Sequence, residues 1–191
     1  LTANFEMIDY TVSLEAQPEE GGTLTGGGTY NFEDDVTVEA IPNEGWAFIN
    51  WTNAAGDTVS TDAAYNFSMP SGDLTLTANF EMIDYTVSLS AQPEEGGMVT
   101  GQGVYNFEDE VTIDAAANDA WVFTHWSTME GDTVSTDASY TFNMPSENVS
   151  YVANFELNEF DVNLTADPEE GGTVAGGGTY IVGESVTVYA I

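Results

Sequence analysis

The chain has 191 residues, 33 of them acidic, with no Lys or Arg, no Cys and one His, giving a formal charge of −33. Without cations to neutralise phosphate, nucleic acid and anionic lipid headgroups are excluded as partners; without thiols, so are disulfides, thiolate metal sites and cysteine nucleophiles. Apolar residues make up 42%, enough for a folded core, so the acidity reads as the skin of globular modules and not as a disordered tail.

In chain order, Leu-Thr-Ala-Asn-Phe at Leu1–Phe5 reads as the closing strand of one module, and Glu6-Met7-Ile8-Asp9 as a joint. Tyr10, Val12, Leu14 and Ala16 then alternate with Thr11, Ser13 and Glu15, the period of a strand with one buried face. Pro18 and Gly21-Gly22 punctuate, and Gly26-Gly27-Gly28 predicts a hairpin turn. Val36, Val38 and Ala40 predict another strand, closed by the turn Asn43-Glu44-Gly45. Trp46 and Phe48 share a face but Trp51 falls three residues on, so a bulge or bend is expected to return it to the core. After Gly56-Asp57, the runs Tyr65-x-Phe67-x-Met69 and Leu74-x-Leu76-x-Ala78-x-Phe80 predict two more strands, with Pro70-Ser71-Gly72 between them.

This series then starts again. Residues 1–75 and 76–150 align without a gap and most positions are identical; residues 151–191 begin a third copy. The alignment also decides the Ala-rich run Asp109–Trp121. Its counterpart in the first copy carries Pro42 and Gly45, so it is read as strand and turn, not helix. The expected division is the end of a preceding module at 1–6, repeat modules at 7–81 and 82–156, and the incomplete start of a third at 157–191. The fold class expected is mainly β: small antiparallel modules, β-grasp-like or a small sandwich, in an elongated array. A 75-residue module is marginal alone, and packing at the short joints is expected to add stability.

The run from Glu19 to Asn53, EEGGTLTGGGTYNFEDDVTVEAIPNEGWAFINWTN, with AAYNFSMPSGDLTLTANF at Ala63–Phe80, resembles the divergent relatives of the internalin-B B-repeat. The matching features are the Gly-rich hairpin, the Gly-aromatic-x-Phe-x-x-Trp motif and the closing Met-Pro…Leu-Thr-Ala-Asn-Phe strand. The resemblance implies tandem β-rich modules of secreted or surface-attached bacterial proteins, serving as stalks or adhesive repeats. Better-known members have a β-grasp-like fold with a short helix; Ser-Thr-Asp-Ala-Ala-Tyr-Asn-Phe at 60–67 is no helix former, so a nearly all-β module is expected here.

Candidate chemistry is sparse. His125 aligns with Asn50, so the module folds without it, and a polar surface or loop position is expected; general-base work also needs a nucleophile and an orienting group nearby. The Gly-rich run lacks the following helix and the cation of a phosphate loop. Adjacent acids such as Glu19-Glu20 read as solvated turns and not a glycosidase pair. Glu33, Asp34 and Asp35, with Glu108, Asp109 and Glu110, are dense acidic turns of the oxygen-donor kind calcium takes. No EF-hand spacing accompanies them, and the third copy has Gly183-Glu184-Ser185, so at most some modules would bind. Thr58 and Thr133 sit in the repeated Asp-Thr-Val, which resembles a short bacterial O-glycosylation signal and also fits a plain turn. Trp46, Trp51, Trp121 and Trp126 could stack sugars, but in so small a module they are read as core.

The expectation is therefore a non-catalytic stalk, spacer or fibre segment of a large extracellular protein on a bacterial cell surface. The alternative is an adhesin module binding glycans or host-surface ligands through repeated weak sites. No catalytic residue and no cofactor other than possible calcium is expected. Partners are neighbouring modules of the same chain, other copies in a fibre, or surface glycans. No apolar run approaches the ~20 residues of a membrane span, and no signal-peptide pattern opens the sequence. The absence of Lys and Arg leaves trypsin-like proteases no cleavage site.

Overall fold

The computed structural model describes residues 1–4 and 6–191. It is mainly β, with no α-helix among them and only single 3-10 turns at Glu19–Gly21, Glu94–Gly96 and Glu169–Gly171. By its contacts the chain divides into two units, Leu1–Tyr85 with Asn106–Glu108, and Thr86–Tyr105 with Asp109–Ile191.

The first unit holds β1 (Asp9–Gln17), β2 (Gly22–Thr25), β3 (Gly28–Asn31), β4 (Asp35–Pro42), β5 (Trp46–Asn53), β6 (Thr58–Ser60), β7 (Ala64–Ser68) and β8 (Leu74–Met82). They form a five-stranded sheet in the order β3-β1-β8-β5-β6 and a three-stranded sheet in the order β2-β4-β7. Along β4, Val36, Val38 and Ala40 are buried while Thr37 and Glu39 are exposed, the alternation expected of a strand with one dry face. The two sheets share one core: Val36, Val38 and Ala40 from the smaller, with Val12, Trp51, Leu76, Ala78 and Phe80 from the larger and Met69 after β7.

The expectation of antiparallel pairing throughout fails at one place in each unit. β1 and β8 run parallel, with Val12 opposite Leu74 and Gln17 opposite Asn79. Parallel neighbours need a long crossover, and here the whole intervening module supplies it. Alternation shows which face of a strand is buried, but not which way its neighbour runs. The opening Leu1–Asn4 forms no strand, and Phe5, expected to close a module, lies outside the described residues. β8, the counterpart of this stretch, is paired by β1 and β5.

The bulge expected near Trp51 is present. The β5–β8 register shifts between Phe48 and Asn50, so Trp51 turns inward and is fully buried. Its Nε1–H donates to Ala63 O at 3.1 Å. Phe48 bridges Trp51 and Phe80, with ring centroids 5.9 Å from each, the tilted and edge-on contacts aromatic quadrupoles favour.

The second unit repeats the plan with β9 (Asp84–Gln92), β10 (Gly97–Thr100), β11 (Gly103–Asn106), β12 (Glu110–Ala117), β13 (Trp121–Thr128), β14 (Thr133–Ser135), β15 (Ser139–Asn143) and β16 (Val149–Leu157). The Ala-rich run is strand β12 followed by a turn, as its alignment requires. Trp126 is fully buried and donates to Ala138 O at 3.2 Å. Tyr151 stands where the first copy has Leu76, and it meets Tyr140 and Phe142 edge-on at 6.4 and 5.4 Å. Burial raises the Tyr151 phenol above its ordinary value, and the neighbouring Tyr140 and Glu147 add to the shift. The folded state thus holds the phenolic proton more tightly than the unfolded one. Its contribution to stability is complete below the ordinary tyrosine range near pH 10 and declines as pH rises through the folded value. Urea titrations between pH 8 and 11 should show that alkaline loss, and Tyr151→Phe should shrink it.

Residues 157–191 correspond to 7–41 of the first copy, the portion without β5 and β8. They carry β17 (Glu159–Val162) paired with β19 (Gly178–Ile181), and β18 (Val174–Ala175) paired with β20 (Tyr189–Ala190). None of the described residues after Leu157 is fully buried.

Candidate functional site

The acidic turn joins β3 to β4. Glu33 adopts a left-handed φ of 69°, and Asp34 N–H donates to Asn31 O at 3.1 Å. The Asp34 carboxylate accepts from the Asn31 backbone N–H at 2.8 Å and its side-chain amide at 3.3 Å. The turn is tied to Met69 by Glu33 N–H to Met69 O at 2.9 Å and Met69 N–H to Asp34 O at 2.8 Å. The second copy repeats the left-handed residue at Glu108 (φ 67°) and the tie from Met144 N–H to Asp109 O. In the third, Gly183 takes the left-handed position and the Glu184 carboxylate accepts from Ile181 N–H at 3.2 Å. The aspartate thus fastens a turn. Asp35, Glu108, Asp109 and Glu110 are exposed, and among the described residues no three His, Cys, Asp or Glu converge on a cation position. Asp34→Ala should cost about 1.5–3 kcal/mol, the range for a hydrogen bond to a charged group. Asp34→Asn, which keeps an acceptor, should cost less; chemical denaturation of the two variants checks the order.

His125 is half-buried on β13 and not in a loop. Strand position 125 follows a register shift against β16, which turns the side chain partly inward. Its Nδ1 lies 3.0 Å from the Thr124 hydroxyl, and that hydroxyl donates to Asn154 O at 3.1 Å. With its proton directed at a carbonyl, Thr124 is the acceptor of an Nδ1–H and not a nucleophile that histidine could activate.

The tryptophans divide into two classes. Trp51 and Trp126 are core, while Trp46 and Trp121 are half-buried at the starts of β5 and β13. Thr58 and Thr133 are exposed at the starts of the short strands β6 and β14. The tight turn before Thr58 is set by the Asn53 side chain, whose Oδ1 accepts from Ala55 and Asp57 N–H at 2.9 and 3.0 Å.

A polar hollow lies at the β5 bulge. A bulge interrupts the ladder, and Asn79 of β8 fills the gap. Its amide donates to Asn50 Oδ1 at 2.7 Å and Thr52 Oγ1 at 3.1 Å; Asn50 donates in turn to Thr58 Oγ1 at 3.3 Å. A shallow hollow of about 490 Å³ opens here, with Gln17, Ile49, Asn50, Thr52, Thr58 and Asn79 on its walls. In the second copy Asn154 donates to Ser127 Oγ at 2.9 Å and to His125 O at 3.2 Å. With Glu81 also on the wall, such a lining can hydrogen-bond a polar ligand. Sequence reading missed Asn79 and Asn154. The available signal was an asparagine recurring at residues 4, 79 and 154, each time between Ala and Phe.

The sequence matches the divergent InlB B-repeat domain twice, at residues 12–84 and 87–159. The chain belongs to the divergent InlB B-repeat family. This family occurs in bacterial surface proteins, and its tandem repeats point to a structural repeat module. No curated protein matches the chain. Among solved structures, the Bacillus anthracis TIE protein is similar over 79% of this chain and 34% of its own length, at 9% identity and a TM-score of 0.41. The chain spans about a third of that protein, and a likeness this loose carries no argument about fold or function. No helix among the described residues is long and apolar enough to cross a membrane.

Proposed function

We propose that this B-repeat chain is a non-catalytic stalk, spacer or fibre segment of an extracellular bacterial surface protein, built from repeats at 7–81 and 82–156. The observation that carries this reading is the repetition of one core with the same bonding. Trp51 and Trp126 tie to Ala63 and Ala138 in the same way, and the bonds found for Asp34, His125 and Asn79 fasten turns and strands. Uniform negative charge keeps such repeats soluble and apart from one another. The test is replacement, in the parent surface protein, of these repeats by an unrelated stalk of equal length. Retained surface function supports the spacer role, and loss of function would sink it.

The second reading is an adhesin module, and the polar hollow favours it, because Gln17, Thr58 and Asn79 recur as Gln92, Thr133 and Asn154. Repetition would convert weak sites into avidity. Glycan binding by the chain, abolished by Asn79→Leu with Asn154→Leu, would support it. Two smaller proposals remain with the repeat. Calcium at Glu33–Asp35 or Glu108–Glu110 requires a melting-temperature rise with calcium, reversed by chelator and absent with magnesium. O-glycosylation at Thr58 and Thr133 is favoured by their exposure, and an unmodified intact mass of the natively produced protein would eliminate it.

A further inference from the structure

One backbone contact occurs twice in the chain and points to a third. In the first unit, Ile83 N–H donates to Gly45 O at 2.8 Å, and the Phe107 side chain lies against Gly45. Gly45 has a left-handed φ of 77°, and a methyl there would stand 2.5 Å from Phe107 Cβ. In the second unit the same turn is Asn118–Trp121: Asn158 N–H donates to Ala120 O at 2.8 Å, with Ala120 at φ 72°. Residue 182, the counterpart of Phe107, is there a valine. Glycine in the turn thus goes with phenylalanine, and alanine with the smaller valine. Both turns are held rigid in the same way. Trp46 and Trp121 N–H close them on Asn43 and Asn118 O, and the Asn43 and Asn118 amides donate to Glu20 and Glu95 O.

The counterparts of Ile83 and Phe107 in the first copy are Ile8 and Phe32. Ile8 is 66% exposed, Phe32 52% and adjoining Met7 73%. With Tyr10, Asn31 and Ser71 they line a hollow of about 350 Å³. In this chain the turns at Gly45 and Ala120 are already engaged, so neither is free to fill it. We propose that the Met7–Ile8–Phe32 patch seats the Asn-x-Gly-Trp turn of another repeat of this kind, placed before it in the same polypeptide, and that glycine is required opposite Phe32. Ile8 N–H donates to the glycine carbonyl and the Phe32 ring covers its α-carbon, where a methyl would collide. The short Glu6–Asp9 joint supplies the high effective concentration that makes so small a seat effective. The inference rests on the repeat reading of the chain, but its readout is intramolecular and independent of any ligand or surface role.

Leu1–Glu6 is identical to Leu76–Glu81, so a copy of residues 7–75 placed ahead of Leu1 in the full chain recreates the repeat without a seam. Amide hydrogen exchange should then show Ile8 slowed at least about tenfold relative to the unextended chain. With Gly45→Ala in the added copy alone, that protection should vanish. Unchanged Ile8 exchange, or equal protection by the alanine version, would overturn the proposal. The size rule is read separately in the chain as it stands. Gly45→Ala should speed exchange at Ile83 at least about tenfold, and adding Phe107→Val should restore it; no loss, or no rescue, counts against the fit.

Discussion

Trp51→Ala should cost the first repeat about 3–5 kcal/mol, the range for emptying a buried large aromatic site. The indole is fully buried between the two sheets, and Phe48 packs on it at 5.9 Å, so the ring leaves a cavity bounded by strands that cannot collapse inward. A domain of this size has only about 5 kcal/mol or somewhat more to lose, so the repeat should be largely unfolded by modest urea. The lost hydrogen bond contributes less than the cavity, since Ala63 O also accepts from Ala40 N–H at 3.0 Å and is not orphaned. Trp51→Phe should therefore be much milder than Trp51→Ala. Circular dichroism in urea, with Trp126→Ala as the matched case, measures both. A cost under 1 kcal/mol for the alanine variant would mean that the core is not organised around this ring.

Much of this core was legible in the sequence because alternation is a local property. Val36, Val38 and Ala40 declared a buried face, and the spacing of Trp46, Phe48 and Trp51 declared the bulge. The gap-free alignment resolved the Ala-rich run by setting Pro42 against Ala117. Strand direction was not legible, because the parallel meeting of β1 and β8 joins residues such as Val12 and Leu74 that no short pattern connects. The candidate site was legible only in part. The acidic turn was visible as charge density, but that the Asp34 carboxylate is used on the Asn31 N–H depends on the left-handed step at Glu33. Asn79 was hidden for a related reason: its role follows from a gap that exists only once the bulge of β5 lies beside β8.

The largest backbone effect should come from Gly26. Its φ is +90°, and a methyl group there would sit 2.1 Å from Thr37 O and 2.9 Å from Val38 Cα. Both obstacles are backbone of β4, which cannot move without breaking its pairing with β2 and β7. Gly56 is the comparison: its φ is +85°, but nothing lies within 4 Å of the same methyl. Gly56→Ala should cost about 1–2 kcal/mol, the conformational penalty alone, whereas Gly26→Ala should cost about 3 kcal/mol or more because collision adds to it. Denaturation midpoints of the two variants separate the terms, and equal costs would mean that the approach to Thr37 relaxes freely. The copies already carry part of this experiment. Gly26 is matched by Gly101 and Gly176, where a methyl would meet Thr112 O at 2.3 Å and Thr187 O at 2.2 Å. The next position is Gly27, Gln102 and Gly177 in the three copies; a methyl would stand 3.3 Å from its nearest atoms at Gly27 and 2.9 Å from Val162 O at Gly177. A tyrosine hydroxyl closes the same turn in all three copies, from Tyr30 to Gly26 O, Tyr105 to Gly101 O and Tyr180 to Gly176 O, at 2.8–2.9 Å. The first glycine of the run thus meets the tighter steric demand, and it is the second that is replaced, by Gln102.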